Sequence, residues 1–201
     1  MRFTRLGTLV IAGALALSMA VPAQAATKSI SIVNTTVGFD PDPVSGAQGT
    51  TFAWTNNDSV RTHTSTQDSP LALWNTGNVS PGVTKSVAVT SAGAYPYHCS
   101  IHPFMTGTVR VPIKVSTTSG TTATTFTITM ATTNATGSFV YDVQERIGSG
   151  AWTAFKTGIT TKSTTFKASA TGSYSFRSRI RDTSKANAFS GWSPKKTITV
   201  S

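Results

Sequence analysis

Residues 95–105 of this 201-residue chain read YPYHCSIHPFM, and three potential metal ligands in this stretch are spaced three residues apart. Cys99, His102 and Met105 offer a thiolate, an imidazole and a thioether within one short turn. A thiolate and two imidazoles in a plane, with a weak axial thioether, are typical of copper sites that transfer electrons. The stretch therefore predicts three ligands of a mononuclear copper site, and the second imidazole must come from elsewhere in the chain.

The pattern of residues 93–99 indicates which histidine completes this ligand set. These residues are predicted to form a strand, in which successive side chains alternate between the two faces. Tyr95, Tyr97 and Cys99 then share the inner face, and His98 points away from it. Because the chain has only three histidines, His63 is the predicted fourth ligand.

The first 25 residues have the pattern of a secretory signal peptide. Arg2 and Arg5 precede an apolar run over residues 6–21, and the AQA at 23–25 supplies the small residues that signal peptidase accepts. The alternative is an uncleaved anchor, but the run is short for a membrane span and a cleavage-like site follows at once. We predict a mature chain that begins at Ala26, has no membrane span and is secreted, periplasmic or on the cell surface.

Other roles for the cysteine and the ligand set fit less well. In an exported chain, metal ligation explains a single cysteine better than an inert buried thiol or an intermolecular disulfide does. Zinc also binds Cys-His-His sets, but the thioether of Met105 adds nothing to a zinc site. A multicopper oxidase would need more histidines than His98, the one left after the site takes two. We therefore expect a copper protein that is not an enzyme.

The mature sequence predicts an all-β protein. Serine, threonine, valine and glycine are abundant, long helical periodicity is absent, and short alternating runs are separated by turn residues. In the first half, strands are predicted at residues 28–33, 37–39, 50–55, 83–89, 93–99 and 107–115. The NND at residues 56–58 favours a turn that leads to His63. This number of short strands suggests a β-sandwich.

Residues 26–115 resemble the blue copper proteins, the cupredoxins of the plastocyanin and amicyanin type. The tract at 95–107 is similar to the short ligand loop of amicyanin, and WTNND at 54–58 followed by His63 is similar to the segment with the family's first histidine ligand. The resemblance implies a Greek-key cupredoxin sandwich in which copper is bound by the ligands His63, Cys99, His102 and Met105. The approach to His63 is one residue longer than is usual in the family.

The resemblance also implies surroundings for the site. In the family, the loop histidine reaches the surface through an apolar patch, which would here be formed by Pro103, Phe104 and either Leu71 or Leu73. Hydrogen bonds from neighbouring polar groups are expected to orient His63 and to shield the sulfur. The candidate donors are the side chains at positions 56 and 57.

The remainder of the chain is predicted to form a second domain. Residues 116–122 are rich in serine, threonine and glycine and are predicted to be a linker. Residues 123–201 resemble a fibronectin type III domain, with YDV at 141–143, YSFRSR at 174–179 and GWSP at 191–194 in the usual order. This resemblance implies a second, immunoglobulin-like β-sandwich. A fold by itself assigns no function to it.

Charge is distributed unevenly between the two halves. Residues 26–115 contain five Lys or Arg against four Asp, whereas residues 116–201 contain ten against three Asp or Glu. Export argues against nucleic acid as a partner, so the charge favours an anionic cell-surface polymer, an acidic protein or a merely solvated basic face. Arg177, Arg179 and Arg181 are predicted to form an outward ladder, which would either dock an anionic partner or pair across the sheet with Asp142 and its neighbours.

Two functions of a working copper site remain compatible with the sequence, and a third possibility is an adhesion protein with a relic copper fold. The first is an exported carrier that passes single electrons between redox partner proteins, with the second domain as a spacer or docking module. The alternative is a copper-sequestering or surface-attachment protein that passes no electron on.

Overall fold

A computed structural model describes residues 26–201, and all regular secondary structure in this range is β. This confirms the expectation of an all-β chain. The predicted signal peptide, residues 1–25, lies outside the described residues. In residues 26–201 there is no helix of the length and apolarity needed to cross a membrane.

The first half of the described chain forms two four-stranded sheets, with strand orders β2-β1-β4-β6 and β3-β8-β7-β5. Their strands are β1 (Thr27–Asn34), β2 (Gly38–Asp40), β3 (Val44–Ser45), β4 (Thr50–Asn56), β5 (Thr66–Gln67), β6 (Thr84–Val89), β7 (Gly93–His98) and β8 (Thr106–Val111). Alternating side chains of these strands are buried between the sheets. Ile30, Ile32, Trp54, Tyr95 and Tyr97 are all fully inaccessible to solvent.

The pairing of the strands brings loops from both sheets to one end of the sandwich. In the hairpin β7–β8, His98 pairs with Thr106, so residues 99–105 form the connecting loop. Strand β5 pairs with the end of β7, with Thr66 opposite His98. The segment that leads from β4 into β5, residues 57–65, therefore lies beside the 99–105 loop. We call this the loop end of the sandwich.

The second half also forms two sheets, with orders β10-β16-β15-β12-β13 and β14-β11-β9. Their strands are β9 (Lys114–Val115), β10 (Ser119–Gly120), β11 (Thr125–Thr129), β12 (Phe139–Ile147), β13 (Thr153–Ile159), β14 (Ser163–Lys167), β15 (Gly172–Asp182) and β16 (Lys196–Val200). Phe126, Ile128, Val143, Phe176 and Ile198 are fully buried between these sheets.

The two halves meet along backbone hydrogen bonds. Strand β9 pairs with β11, and β10 runs parallel to β16, so strands of the second half's sheets flank residues 116–118. The N–H of Ala94 donates to the carbonyl of Gly191 at 2.9 Å, and the N–H of Gly191 donates back at 2.8 Å. Because strands rise about 3.3 Å per residue, this contact lies about 17 Å from Cys99 along β7. The second half thus contacts the end of the first sandwich that is remote from the loop end.

Candidate metal centre

Cys99 follows directly after β7, and the alternation of that strand fixes which side chains face inward. Tyr95, Tyr97 and Cys99 are each fully buried. His98 points to the other face, where its Nδ1 lies 2.7 Å from Oδ1 of Asp68. His98 is therefore outside the cluster formed by Cys99, as the alternation predicts.

The loop after Cys99 closes on itself within six residues. The N–H of Cys99 donates to the carbonyl of Met105 at 3.0 Å, and the N–H of Met105 donates to the carbonyl of His102 at 2.9 Å. This turn brings Nδ1 of His102 to 3.7 Å from the Cys99 sulfur. Met105 is almost completely buried, whereas His102 retains some exposure.

His63 enters the cluster from the 57–65 segment. Its backbone pairs with Val79 through two hydrogen bonds, in which His63 donates at 3.1 Å and Val79 donates at 2.8 Å. The imidazole is fully buried. Its Nδ1 lies 3.8 Å from the Cys99 sulfur and 3.2 Å from Nδ1 of His102.

These three side chains can hold one metal ion. The ligand atoms of His63, Cys99 and His102 all lie within 4.8 Å of one another. One sulfur and two imidazole nitrogens that converge in a buried site match the soft and intermediate ligands that copper prefers. The structure therefore brings together three of the four predicted ligands, and the fourth, Met105, is buried in the same loop.

The sulfur of Cys99 receives a hydrogen bond from the backbone. The N–H of Thr64 points at Sγ at 3.3 Å, and the Thr64 hydroxyl in turn accepts the N–H of Ser100 at 2.7 Å. This bridge ties the 57–65 segment to the ligand loop. The side chains expected as donors act elsewhere, because the Asn56 amide binds the carbonyls of Arg61 and Val79 and the Asn57 amide binds Ser31.

Asp58 is the residue that the sequence analysis missed. Its Oδ2 lies 3.2 Å from Nε2 of His63, and only 6% of the residue is exposed. The N–H of Val60 lowers the pKa of this carboxyl most, and the hydrogen bonds with His63 and the Arg61 N–H act in the same direction against burial. The signal in the sequence is a carboxylate five residues before a candidate ligand, but an aspartate in such a polar stretch is also typical of a turn.

Aromatic rings pack together in the core around Tyr97, on the strand that leads to Cys99. Trp54 and Tyr97 lie 5.5 Å apart in an edge-on arrangement, and Trp74 lies 6.2 Å from Tyr97. The indole N–H of Trp74 donates to the Ser65 hydroxyl at 3.1 Å. Burial strongly raises the pKa of the Tyr97 phenol, so this ring carries no charge near the cluster.

Apolar side chains surround the exposed edge of His102. Phe104 is 69% exposed, and its ring centre lies 6.1 Å from that of His102. Ile101 in the same loop is 46% exposed. Leu71 does not belong to this surface, contrary to expectation, because it is buried in the core, and Leu73 packs partly against the same core. We call Ile101, Pro103 and Phe104 the loop patch.

The three arginine side chains of the predicted ladder on β15 bind other side chains of the same protein. Arg177 makes two hydrogen bonds with the Gln144 side chain, and Arg179 and Arg181 both bind the buried carboxylate of Asp142. The guanidinium of Arg177 also stacks on Trp152, and that of Arg179 stacks on Phe189 and on Trp192. These contacts favour pairing across the sheet over docking of an anionic partner.

Comparison with known proteins finds one matching family model and several similar solved structures. Residues 8–111 match a family model described as a cupredoxin-like domain. Similar solved structures include a purple cupredoxin from Nitrosopumilus maritimus, at 30% identity over 41% of this chain and 97% of that chain, with a TM-score of 0.37. A reduced Cu(I) form of an amicyanin variant is 26% identical over 47% of this chain and 86% of that chain, with a TM-score of 0.38. No curated protein matches the chain.

Proposed function

Because this chain belongs to the cupredoxin-like family, we propose that it is an exported blue copper protein that carries single electrons. Cupredoxins are electron-transfer proteins that work with redox partner proteins, so the family agrees with the expectation that the chain is not an enzyme. The observation that carries the proposal is the convergence of one buried thiol and two imidazole nitrogens within 4.8 Å.

We assign His63, Cys99, His102 and Met105 as the copper ligands. The first three would supply the thiolate and the two imidazoles, and Met105 would supply a weaker thioether ligand. Copper held by these residues would supply a one-electron couple between Cu(II) and Cu(I). The protein's part is to hold the ligands in one geometry, because a site that does not rearrange lowers the cost of each transfer.

The hydrogen bonds of the loop end support that rigidity. The N–H of Thr64 donates to the thiolate, which spreads its negative charge, and the short loop from Cys99 to Met105 is closed by two backbone hydrogen bonds. The part of His102 that stays exposed lies within the loop patch, which is suited to a transient contact with a redox partner.

The loop patch favours a carrier over a sequestering protein. A protein that only stores copper gains nothing from an apolar surface around one ligand, whereas a carrier needs a surface that partners can approach closely. Large exposed apolar side chains at this position are typical of interaction sites. A carrier should show a reversible one-electron couple and fast self-exchange, and a sequestering protein should hold Cu(I) tightly and reoxidise slowly.

The test is to add Cu(II) to residues 26–201 and to record the visible spectrum beside a Cys99→Ser variant. We expect an intense thiolate-to-copper band in the wild type that is absent from the variant. A Cys99→Ser variant that kept the band would contradict the assignment of the thiolate. A colourless wild type would overturn the proposed function.

The domain organisation is proposed along with the function. We propose a signal peptide at 1–25, a cupredoxin domain at 26–115, a junction at 116–122 and a fibronectin type III-like domain at 123–201. The two sheets of the second half, with three strands facing five, support this kind of sandwich. Determination of the N-terminal residue of the exported protein tests the cleavage site, and any start other than Ala26 would contradict it.

A cleft where the two halves meet supports the proposed anionic cell-surface partner. It has a volume of about 720 Å³, and Lys114, Lys162 and Lys196 line it. Within residues 26–201, none of these lysines has a carboxylate within ion-pair distance. Unneutralised ammonium groups around a concave surface attract a polyanion.

Retention on a column of dextran sulfate tests this partner. A Lys114→Glu, Lys162→Glu, Lys196→Glu variant should elute at lower salt than the wild type. The matched control changes Lys28, Lys85 and Lys167 to Glu, which alters the net charge equally but lies outside the cleft. Equal loss of retention in both variants would contradict a site in the cleft.

A further inference from the structure

We propose that Asp58 is a positioning residue that fixes the hydrogen of His63 on Nε2 and so directs its Nδ1 lone pair at Cys99 and His102. This inference rests on the proposed role of His63 as a ligand. It assigns a function to Asp58, which is not one of the four predicted ligands.

The two nitrogens of the His63 ring face different partners. Nε2 lies 3.2 Å from Oδ2 of Asp58, while Nδ1 faces the Cys99 sulfur at 3.8 Å and Nδ1 of His102 at 3.2 Å. A neutral imidazole has one N–H and one lone pair, and an ionised carboxylate can only accept. The hydrogen must therefore lie on Nε2, and Nδ1 is left free to bind a metal ion.

Asp58 can impose this choice because it is itself immobilised. Its Oδ1 accepts the N–H groups of Val60 at 2.9 Å and Arg61 at 3.2 Å, and its own N–H donates to the Asn56 side chain at 2.9 Å. The Asn56 amide is held in turn by two backbone carbonyls, each at 2.8 Å. The carboxylate thus has one oxygen occupied by the loop and the other directed at His63.

An ion pair with Arg61 does not explain the position of Asp58. The nearest guanidinium nitrogen is 3.9 Å from Oδ2, and 54% of the Arg61 side chain is exposed. A distance of this kind exceeds that of a hydrogen bond, and exposed pairs contribute little to stability. The short contact of Oδ2 is the one with His63.

Because of this hydrogen bond, the His63 ring would already be oriented for metal binding before an ion arrives. A carboxylate that accepts from the outer nitrogen of a ligating histidine orients the ring and makes its inner nitrogen a stronger donor. Loss of such a partner typically weakens metal binding by about 10-fold to 100-fold. A stronger imidazole donor favours Cu(II) over Cu(I), so loss of Asp58 should also raise the reduction potential.

Asp58→Asn is the informative variant because it keeps the shape of the side chain. The Asn oxygen can still accept the N–H groups of Val60 and Arg61, and this leaves its NH₂ group facing Nε2 of His63. An NH₂ group donates, so the His63 hydrogen is expected to move to Nδ1, where it blocks the ligand lone pair. Asp68→Asn is the matched control, since it alters the same kind of carboxylate–histidine pair at His98, outside the cluster.

The experiment uses residues 26–201 with ¹⁵N-labelled histidine. Nitrogen NMR of the metal-free protein should show the Nε2–H form of His63 in the wild type and in Asp68→Asn, and the Nδ1–H form in Asp58→Asn. Cu(II) affinity should fall about 10-fold to 100-fold in Asp58→Asn alone. An Nδ1–H form in the metal-free wild type would overturn the proposal, as would an unchanged tautomer and affinity in Asp58→Asn.

These outcomes separate this inference from the proposed function. The tautomer is measured without copper and in the wild type, so it does not depend on the folding of any variant. A wild type that showed the Nε2–H form but bound no Cu(II) would support the role of Asp58 in orienting the ring and would overturn the copper function. A wild type that bound Cu(II) with the Nδ1–H form before loading would do the reverse.

Discussion

Asp142 in the second half and Asp58 in the first half are both buried in polar clusters, but only one of these two clusters is complete within the protein. Asp142 in the second half is 4% exposed and accepts hydrogen bonds from Arg179, Arg181 and the N–H of Gly158. Asp58 in the first half is 6% exposed and holds His63, whose other nitrogen faces a thiol and a second imidazole.

The two clusters differ in what their outermost side chains bind. The Asp142 cluster ends in two guanidinium groups that both bind its carboxylate, and that of Arg179 also stacks on Phe189 and Trp192. The Asp58 cluster ends in three ligand atoms that point at one another and have lone pairs to share. A buried polar cluster whose members all bind one another contributes to the stability of the fold. A cluster whose ligand atoms surround a common point is suited to binding a ligand.

The largest expected effect on stability is that of Asp142→Ala. This variant leaves two guanidinium groups, only 24% and 33% exposed, without their carboxylate. Removal of one partner from such a buried cluster should lower the free energy of unfolding by about 3 kcal/mol. Urea denaturation measures it, and the copper band should be unchanged. A loss of less than about 1 kcal/mol in the free energy of unfolding would contradict this prediction, because the Asp142 cluster would then contribute little to the stability of the fold.

Copper should stabilise the first half by completing the open cluster. A ligand that binds only the folded state adds about 2.7 kcal/mol at a concentration 100 times its dissociation constant. Thermal denaturation with and without Cu(II) should therefore show a clear rise in Tm for the wild type and for Asp142→Asn. Cys99→Ser is the control, and an equal rise in that variant would mean that copper binds elsewhere.

Acid should affect the second half through its buried carboxylates. Hydrogen bonds from Ser138 and Ser184 lower the pKa of Asp182 to about 2. Because this pKa is lower in the folded than in the unfolded chain, the contribution to stability is complete above the ordinary pKa of about 4 and is lost as the pH falls from about 4 to 2. Urea denaturation of wild type and Asp182→Asn across this range checks it. Parallel pH profiles for the two proteins would contradict it.

The smallest expected effect on stability belongs to the loop patch. Phe104 is largely exposed, so Phe104→Ala should change the free energy of unfolding by less than about 0.5 kcal/mol. If Phe104 anchors the encounter with a second molecule, electron self-exchange should slow by about tenfold, which corresponds to about 1.4 kcal/mol. NMR line broadening of mixed Cu(I) and Cu(II) samples measures the rate. Val83→Ala, at an exposed apolar site on another loop, is the control and should leave self-exchange unchanged.

Much of this architecture follows from local sequence patterns. The alternation in β7 predicts that Cys99 faces inward and His98 outward, because a strand has only two faces. Alternation likewise predicts β6 at residues 83–89, within one residue of its observed bounds, Thr84–Val89. The short strands β3 and β10 were not predicted, since two residues are too few to show a period.

The parts of the site that escaped prediction depend on distant contacts. Asp58 resembles any turn-forming aspartate until folding places it against His63. Leu71 follows a proline in a polar stretch and resembles an exposed residue, yet tertiary packing buries it. Thr64 acts through its backbone N–H, which every residue except proline possesses, so no sequence pattern marks it as the donor to sulfur.

The contact between Ala94 and Gly191 has a consequence for how the protein behaves when it is held in place. Strand β7 begins at this contact and leads directly to Cys99, with no flexible joint between them. If a polymer in the cell envelope held the second half, the loop patch would lie at the other end of the first sandwich, about 17 Å along β7 from the contact between the two halves. Such a protein would collide with its partners in a fixed orientation, and a larger share of collisions would bring the exposed edge of His102 within reach.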